Sequence, residues 1–340
     1  MCKRIFANQT SEQGDVPFFK IGTIGGTPDA YISRDLFEEY KAKYNYPRKG
    51  EVMITSAGTV GKTIVFDGED AYFQDSNIVW LSNPKQLYIN SFLNYVLSRV
   101  NWNKLNSTTI TRIYNDNLRE LVINYPTVKE QEKIVALLSL LDQRIAIQNK
   151  IIEKYESLIR ALRHHLFSTL EPVKEVSFAD VLSYEQPTKY IVSDAEYSDN
   201  KNLTPVLTAN KAFILGYTEE TNDVYDKGPC IILDDFTLDS KIVDFPFKVK
   251  SSAIKILSAK TSVNLRYIYE YLKFLDLNTE EHKRHYIAEL EPLTIELPDE
   301  GTIQSIAGLF DRIDQRRKGL ERDLQLLKSQ KDCLLRALFI

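Results

Sequence analysis

The stretch from Leu121 to Phe167 superposes without a gap on the stretch from Leu293 to Phe339, 172 positions later. Pro126 falls on Pro298, Ile134 on Ile306, Leu137 on Leu309, Asp142-Gln143-Arg144 on Asp314-Gln315-Arg316, Ser157 on Ser329, Leu162 on Leu334 and Leu166-Phe167 on Leu338-Phe339. A chain of 340 residues with such a duplication is expected to fold as two pseudo-symmetric halves, and two like halves make a bivalent object.

Within the repeat the apolar positions follow an unbroken 4-3-4-3 spacing. The first copy gives Ile134, Leu138, Leu141, Ile145, Gln148, Ile152, Tyr155, Ile159, Leu162, Leu166; the second gives Ile306, Phe310, Ile313, Arg317, Leu320, Leu324, Leu327, Lys331, Leu334, Leu338. This is a coiled-coil seam. A helix of roughly 40 residues spans about 60 Å, more than one domain of this size needs for its own core. The obvious partner of each seam is the other, paired antiparallel with Tyr155 beside Arg317 and Leu141 beside Lys331. A helical hairpin of another kind or a homo-oligomeric coiled coil would use the same pattern.

The regions ahead of the helices are rich in aromatic and β-branched residues. Short strands are expected at 52–54, 64–66, 77–81 and 230–233, with helices over 89–105 and 264–275. The fold class is therefore α+β: target domains at 1–126 and 172–297, separated by long helices at 127–171 and 298–340 that form an antiparallel coiled coil. Lys49-Gly50 leads into a strand and the loop Thr55–Lys62, as Lys227-Gly228 leads into a strand and the loop Asp234–Lys241. Thr111-Arg112-Ile113-Tyr114 matches Lys283-Arg284-His285-Tyr286. The scaffold is shared and the loops differ, as expected of two recognition modules with different targets.

Basic, hydroxyl and aromatic residues interleave in those loops, and such side chains contact phosphates and base edges, while glycine-rich loops let backbone amides approach phosphate. The expected DNA contacts are Lys3, Arg4, Lys20, Lys49, Ser56, Gly58, Thr59, Lys62, Thr111 and Arg112 in the first domain. In the second they are Lys189, Tyr190, Lys211, Thr237, Lys241, Lys250, Lys283, Arg284 and Tyr286. The net charge of −4 argues against a chain that holds nucleic acid by its overall field. Local basic loops or partner subunits must supply the attraction.

Cys2, Cys230 and Cys333 have no CxxC spacing, so neither a disulfide framework nor a zinc site is expected, and a reducing cytoplasm fits. No apolar run approaches the roughly 20 residues of a membrane span. Gly61-Lys62-Thr63 ends like a P-loop, but Ser56 stands where the first glycine is required. Asp234-Asp235 with Asp239-Ser240-Lys241 has nuclease-like residue types crowded into one loop, without the strands that would separate them in such a site. Ser82-Asn83-Pro84-Lys85 lacks the aromatic residue of an adenine methyltransferase motif, and no Gly-x-Ser-x-Gly is present. No catalytic, metal or cofactor site is read.

On the Pro126, Gln131, Ile134, Asp142-Gln143-Arg144 helix and its copy at Pro298, Ile306, Asp314-Gln315-Arg316, the chain resembles the specificity subunits of type I restriction-modification enzymes. Lys20-Ile21-Gly22-Thr23, Asp29–Ser33, Ser56–Gly61 and Tyr184–Tyr190 support the resemblance, which covers nearly the whole chain. It implies a non-catalytic DNA-recognition subunit whose two domains each read half of a bipartite sequence. It also implies two methyltransferase subunits carrying S-adenosylmethionine and two ATP-driven translocase-nuclease subunits as partners. One departure is expected. Met1-Cys2-Lys3 begins about where Tyr184-Glu185-Gln186 does, so the first domain reads as N-terminally shortened, without a counterpart of Pro172–Leu182. The alternatives are a self-contained sequence-specific nuclease or modification enzyme, and a coiled-coil adaptor without DNA contact.

Overall fold

The computed structural model describes residues 1–83, 87–102, 112–208, 213–260, 263–277 and 286–339. It divides into two compact units: 1–147 with 324–340, and 148–323.

The first unit is built from β1 (Val16–Phe19), β2 (Tyr31–Ile32), α1 (Arg34–Lys43), β3 (Val52–Thr55), β4 (Thr63–Val65), β5 (Tyr72–Phe73), β6 (Ile78–Leu81), α2 (Asn90–Arg99), α3 (Asn115–Arg119) and the first half of α4 (Val128–Ser168). The strands form two three-stranded sheets, ordered β2-β1-β5 and β4-β3-β6. β3 is buried along its whole length because both faces are covered. Its side chains alternate: Met53 enters a core with Phe37, Tyr72 and Phe73, while Val52 and Ile54 enter another with Leu93, Leu97 and Trp102. α2 stops before Leu105, the expected end. Val100 is extended (φ −65°, ψ 128°), and Trp102 folds back, its Nε1–H donating to the Leu97 carbonyl at 3.3 Å.

The second unit contains the rest of α4, β7 (Lys174–Ser177), α5 (Phe178–Val181), β8 (Leu182–Glu185), β9 (Thr204–Leu207), β10 (Ile214–Thr218), β11 (Cys230–Asp234), β12 (Ser240–Val243), β13 (Lys248–Val249), β14 (Ile254–Ala259), α6 (Leu265–Phe274), a π-helical turn at Tyr286–Leu290, β15 (Thr294–Leu297) and most of α7 (Glu300–Leu338). Its sheets run β10-β9-β13, β12-β11-β14-β8 and β15-β7. In both units the central strand of one sheet pairs antiparallel with both neighbours, β3 with β4 and β6, β11 with β12 and β14. In both, the other sheet combines one antiparallel and one parallel pair. These pairings are shared, and the second unit adds β8 at the edge of β14 and the β15-β7 pair. β11 repeats the two-faced burial of β3, with Ile231 and Leu233 packed in the core beside α6, and Cys230 and Ile232 in a core with Phe247 and Ile256.

Each long helix starts behind a proline that cannot continue a helix backwards. At α4, the Glu130 carboxylate reaches back to Thr127: the Thr127 hydroxyl donates to it at 2.8 Å, and the Thr127 N–H donates to the same oxygen at 3.1 Å. At α7, Asp299 accepts the Thr302 N–H at 3.0 Å. In the first unit Leu138 and Leu335 share a small core with Tyr95, and Lys331 pairs with Asp142. In the second, Gln148 Nε2 donates to the Leu320 carbonyl at 2.9 Å, and the Tyr155 hydroxyl reaches the Ile313 carbonyl at 3.4 Å, one turn before the Arg317 expected beside it. No described helix is long and apolar enough to cross a membrane.

Candidate nucleic-acid interface

In the first unit, the β3–β4 hairpin carries the loop 56–62. Gly58 (φ +67°) and Gly61 (φ +85°) take left-handed backbone, where glycine is unstrained. A Cβ on Gly58 would lie 2.5 Å from Ile21 Cδ1, and one on Gly61 would overlap Trp102. The loop is closed by Thr55, whose carbonyl accepts the Gly61 N–H at 2.9 Å and whose hydroxyl accepts the Lys62 N–H at 3.0 Å while donating to the Thr59 carbonyl. Gly58, Thr59 and Lys62 remain exposed.

Two further segments meet this hairpin. The Gln74 side chain accepts the Ile21 N–H at 3.1 Å, tying the 20–26 loop to the turn at Asp75-Ser76-Asn77. Ser76, itself in left-handed backbone (φ 52°), accepts from the Ser56 hydroxyl at 2.8 Å and from the Arg112 guanidinium at 3.1 Å through its carbonyl. The Ile113 N–H donates to the Ser56 carbonyl at 2.9 Å. Lys20, Gly58, Thr59, Lys62 and Arg112 are thereby joined in one group of loops, with Lys20 also paired to Asp29 at 3.1 Å. Exposed hydroxyl and backbone groups beside three cations suit phosphate contact. The other expected residues make separate contacts: Lys3 lies over the Tyr44 ring, Arg4 over Phe6, and Lys49 along Gly68.

The equivalent hairpin of the second unit has different chemistry. Asp234 accepts the Phe236 N–H at 2.8 Å and the Thr237 N–H at 3.3 Å through its carboxylate, which shapes the turn. Asp235 stands where Ser56 does, its N–H bonded to the Ala253 carbonyl (3.0 Å) as that of Ser56 is to Asn77 (2.7 Å). It is buried, accepts the Tyr286 N–H at 3.1 Å, and pairs with buried Lys255 at 3.2 Å. Lys255 in turn donates to the Tyr184 hydroxyl at 2.9 Å. Thr237 and Lys250 are exposed. Lys241 lies over Phe213 and lines a cleft of about 630 Å³ with Arg160, Arg266, Lys273 and Arg317. Three carboxylates of that cleft are matched: Asp239 by Lys273 at 2.6 Å, Glu270 by Arg163 at 2.8 Å, and Asp314 by Arg317 at 2.7 Å. Burial pushes the Asp239 carboxyl upward, but Lys273 outweighs it and holds the group below its ordinary value.

Residues 1–157 match the family model of the type I restriction modification DNA specificity domain. A specificity subunit of Haemophilus influenzae is 51% identical over 153 residues, 45% of this chain and 39% of that protein. The EcoR124I/EcoR124II specificity subunit of Escherichia coli is 39% identical over 171 residues, 46% of this chain and 42% of that protein. The matched segment thus spans about two fifths of each of these relatives. Among solved structures, the S subunit of a type I restriction-modification system from M. genitalium covers all of this chain and 92% of its own at a TM-score of 0.62 and 17% identity. A chain from a structure of type I complex assembly and conformational transition covers 94% of this chain and 90% of its own, at 0.52 and 14%. At these identities the structural likeness speaks for the fold.

Within the matched segment and its second-unit counterpart, three expected contacts are corrected. Ser56, Tyr190 and Tyr286 are each no more than 2% exposed. Ser56 spends its hydroxyl on Ser76, Tyr190 donates to Glu185 at 2.7 Å, and the Tyr286 ring packs on Tyr184. A side chain without accessible surface supports a loop and does not reach a duplex. Lys189 is exposed beside Asp223. Thr111, Lys211, Lys283 and Arg284 lie outside the described residues, as do Pro84 and Lys85. Sequence reasoning missed Gln74 and Ser76, and it read Lys255 as the end of a basic loop at 248–255, where the structure buries it in β14. The run Asp75-Ser76-Asn77 carried a turn signal for Ser76, whereas Lys255 sits in an ordinary strand pattern and its partners come from distant segments.

Proposed function

We propose that this chain is the DNA-recognition subunit of a type I restriction-modification system, reading a bipartite target with one unit per half-site. The carrying observation is the duplication: a segment matching the specificity-domain family leading into a long helix, followed by a second unit with the same core strand pairings leading into another. In this reading the two helices pair as an antiparallel coiled coil and set the unspecified gap between half-sites. Opposed contacts within each unit support that pairing, Leu138 near Leu335 in one and Gln148 near Leu320 in the other. Lys20, Thr59, Lys62 and Arg112 serve the first half-site, and Thr237, Lys241 and Lys250 the second. Ser56 and Asp235 hold the same hairpin position in the two units, so the loops can diverge without moving the scaffold.

The chain contributes positioning, and chemistry belongs to its partners: two methyltransferase subunits with S-adenosylmethionine, and two ATP-driven translocase-nuclease subunits. The test is a complex reconstituted with the methyltransferase subunits, followed by mapping of the methylated adenines. A single bipartite sequence with a fixed gap is expected, and it should change in only one half when the 56–62 loop is exchanged. Methylation without a common sequence, or DNA cutting or methylation by the isolated chain, would overturn the reading.

A further inference from the structure

Seven lysines and arginines line the cleft of about 630 Å³ in the second unit, against four carboxylates. They converge from four elements: Arg160 and Arg163 from α4, Lys241 from β12, Arg266 and Lys273 from α6, and Arg317 with Lys318 from α7. Five of them share three carboxylates. Glu270 takes Arg163 and Arg266 at 2.8 and 2.9 Å, Asp314 takes Arg317 and Lys318 at 2.7 and 3.2 Å, and Asp239 takes Lys273 at 2.6 Å. Asp311 and Glu321 also meet Arg266 and Arg317, but both are exposed, where pairing is screened. Among the described residues, Arg160 and Lys241 have no carboxylate partner: Arg160 donates to the Ser157 hydroxyl at 3.0 Å, and Lys241 lies 4.4 Å from the centre of the Phe213 ring. Two donors of the same lining, the hydroxyl of Ser240 (2% exposed) and Arg266 Nε, are buried without a hydrogen-bond partner among those residues. Buried polar groups are ordinarily matched.

The first unit shows what the same junction needs for packing alone. At the offset of the long helices, Asp332 and Leu335 stand for Arg160 and Arg163, and Ile145 and Ala146 for Arg317 and Lys318. α2 and α6 are both ten residues long, and matched end to end their buried positions coincide, Phe92 with Tyr267, Leu93 with Ile268, Tyr95 with Glu270 and Leu97 with Leu272. Ser91 and Ser98 then stand for Arg266 and Lys273. In the hairpin, Lys241 pairs opposite Ile232 as Ile64 pairs opposite Met53. None of the seven counterparts is a cation. The first unit joins these elements through Tyr95, Leu138 and Leu335, with the ion pairs Lys331–Asp142 and Arg99–Asp332 beside them. Packing the helices against the sheet therefore does not require seven cations, and a further role is left for them.

The side chains of Arg163 and Arg266 are only 15% and 11% exposed, and the cations surround one cavity instead of following a line along the surface. That geometry suits a small anion that enters the cleft better than the rod of a duplex. Phosphoryl oxygens match guanidinium forks, and partial burial strengthens such bonds. We propose that this cleft binds a compact phosphate anion of at least two phosphoryl groups, either free or as the polyphosphate arm of a nucleotide. Arg160 and Lys241, without carboxylates of their own and on separate elements, are the contacts that call for more than one phosphoryl group. Lys241, given above to the second half-site, is then shared between anion and duplex, so the test leaves it in place.

Inorganic pyrophosphate titrated into the full chain in a calorimeter should bind saturably, one to one. Arg160→Glu and Lys318→Glu change exposed side chains. Each should weaken binding by about tenfold and leave Tm unchanged, while Arg119→Glu in the first unit should bind as the natural chain does. Tripolyphosphate and ATP, titrated side by side, separate the two sources: tighter ATP assigns a nucleotide, equal affinity a free polyphosphate, and either result keeps the site. The proposal is overturned if none of the three anions binds saturably, if sulfate binds as tightly as pyrophosphate, or if both cleft variants keep full affinity. It is also overturned if a DNA duplex displaces pyrophosphate with the same sensitivity to Arg160→Glu, which would give the cleft to the duplex.

Discussion

Gln131 is buried in the first turn of α4, and its side chain does three things at once. Its Oε1 accepts the Ile89 N–H at 2.8 Å, while Nε2 donates to the Pro126 carbonyl at 2.9 Å and to Leu87 at 3.3 Å. Gln131→Ala leaves a buried backbone donor without its partner, so a loss of about 1–3 kcal/mol is expected in urea denaturation followed by a first-unit probe. An unchanged midpoint would show that water takes over the bond. Arg112 has a second duty beyond the DNA contact read from sequence, because it holds the Ser76 carbonyl. Arg112→Ala should weaken target binding by the assembled complex by about 1–3 kcal/mol. Lys62→Ala, which leaves that turn intact, should weaken all sequences alike and lower the salt dependence. Asp314 adds a pH signature. Burial pushes its carboxyl upward, but Arg317 and Lys318 outweigh it and hold it below the ordinary 3.8. A depressed folded value means stability present above the unfolded value and lost as pH falls through the folded one. Asp314→Asn should therefore destabilise the protein at neutral pH and flatten the fall below about pH 4; an unaltered acid limb in thermal melts would count against the pairing.

The long helices were legible because a 3.5-residue repeat sustained for ten positions has few other solutions. β3 and β11 were legible as apolar runs between glycine turns. The two-residue strands β2, β5 and β13 were not, since they are defined by pairing and not by any local pattern. At this scale the ruler can be tested. Seven residues inserted after Ile147 in α4 and seven after Asp323 in α7 preserve the seam and add about 10 Å. At about 3.4 Å per base pair, the unspecified gap should grow by roughly three base pairs while both half-sites keep their sequence. Methylation mapping reads the gap directly, and a variant that assembles and keeps the original spacing would reduce the helices to an assembly role.

For the molecule as a whole, a net charge of −4 means that no general field draws it to DNA. The isolated chain should bind a target duplex weakly, and tight, salt-sensitive binding should appear once methyltransferase subunits enclose the duplex; nanomolar binding by the chain alone at physiological salt would contradict this. The duplication, the helices and the shared hairpin position were determined by the sequence itself, because repeats, heptads and turn residues are local signals that survive without a partner. Tertiary structure alone decided which loop residues face outward. Ser56 and Lys62 sit in one loop and look equally suited to DNA, yet Ser76, brought from a distant turn, takes the hydroxyl of the first and leaves the second in solvent. Tyr190 and Tyr286 turned inward for the same reason: burial is a property of what packs against a residue, and those neighbours lie far along the chain.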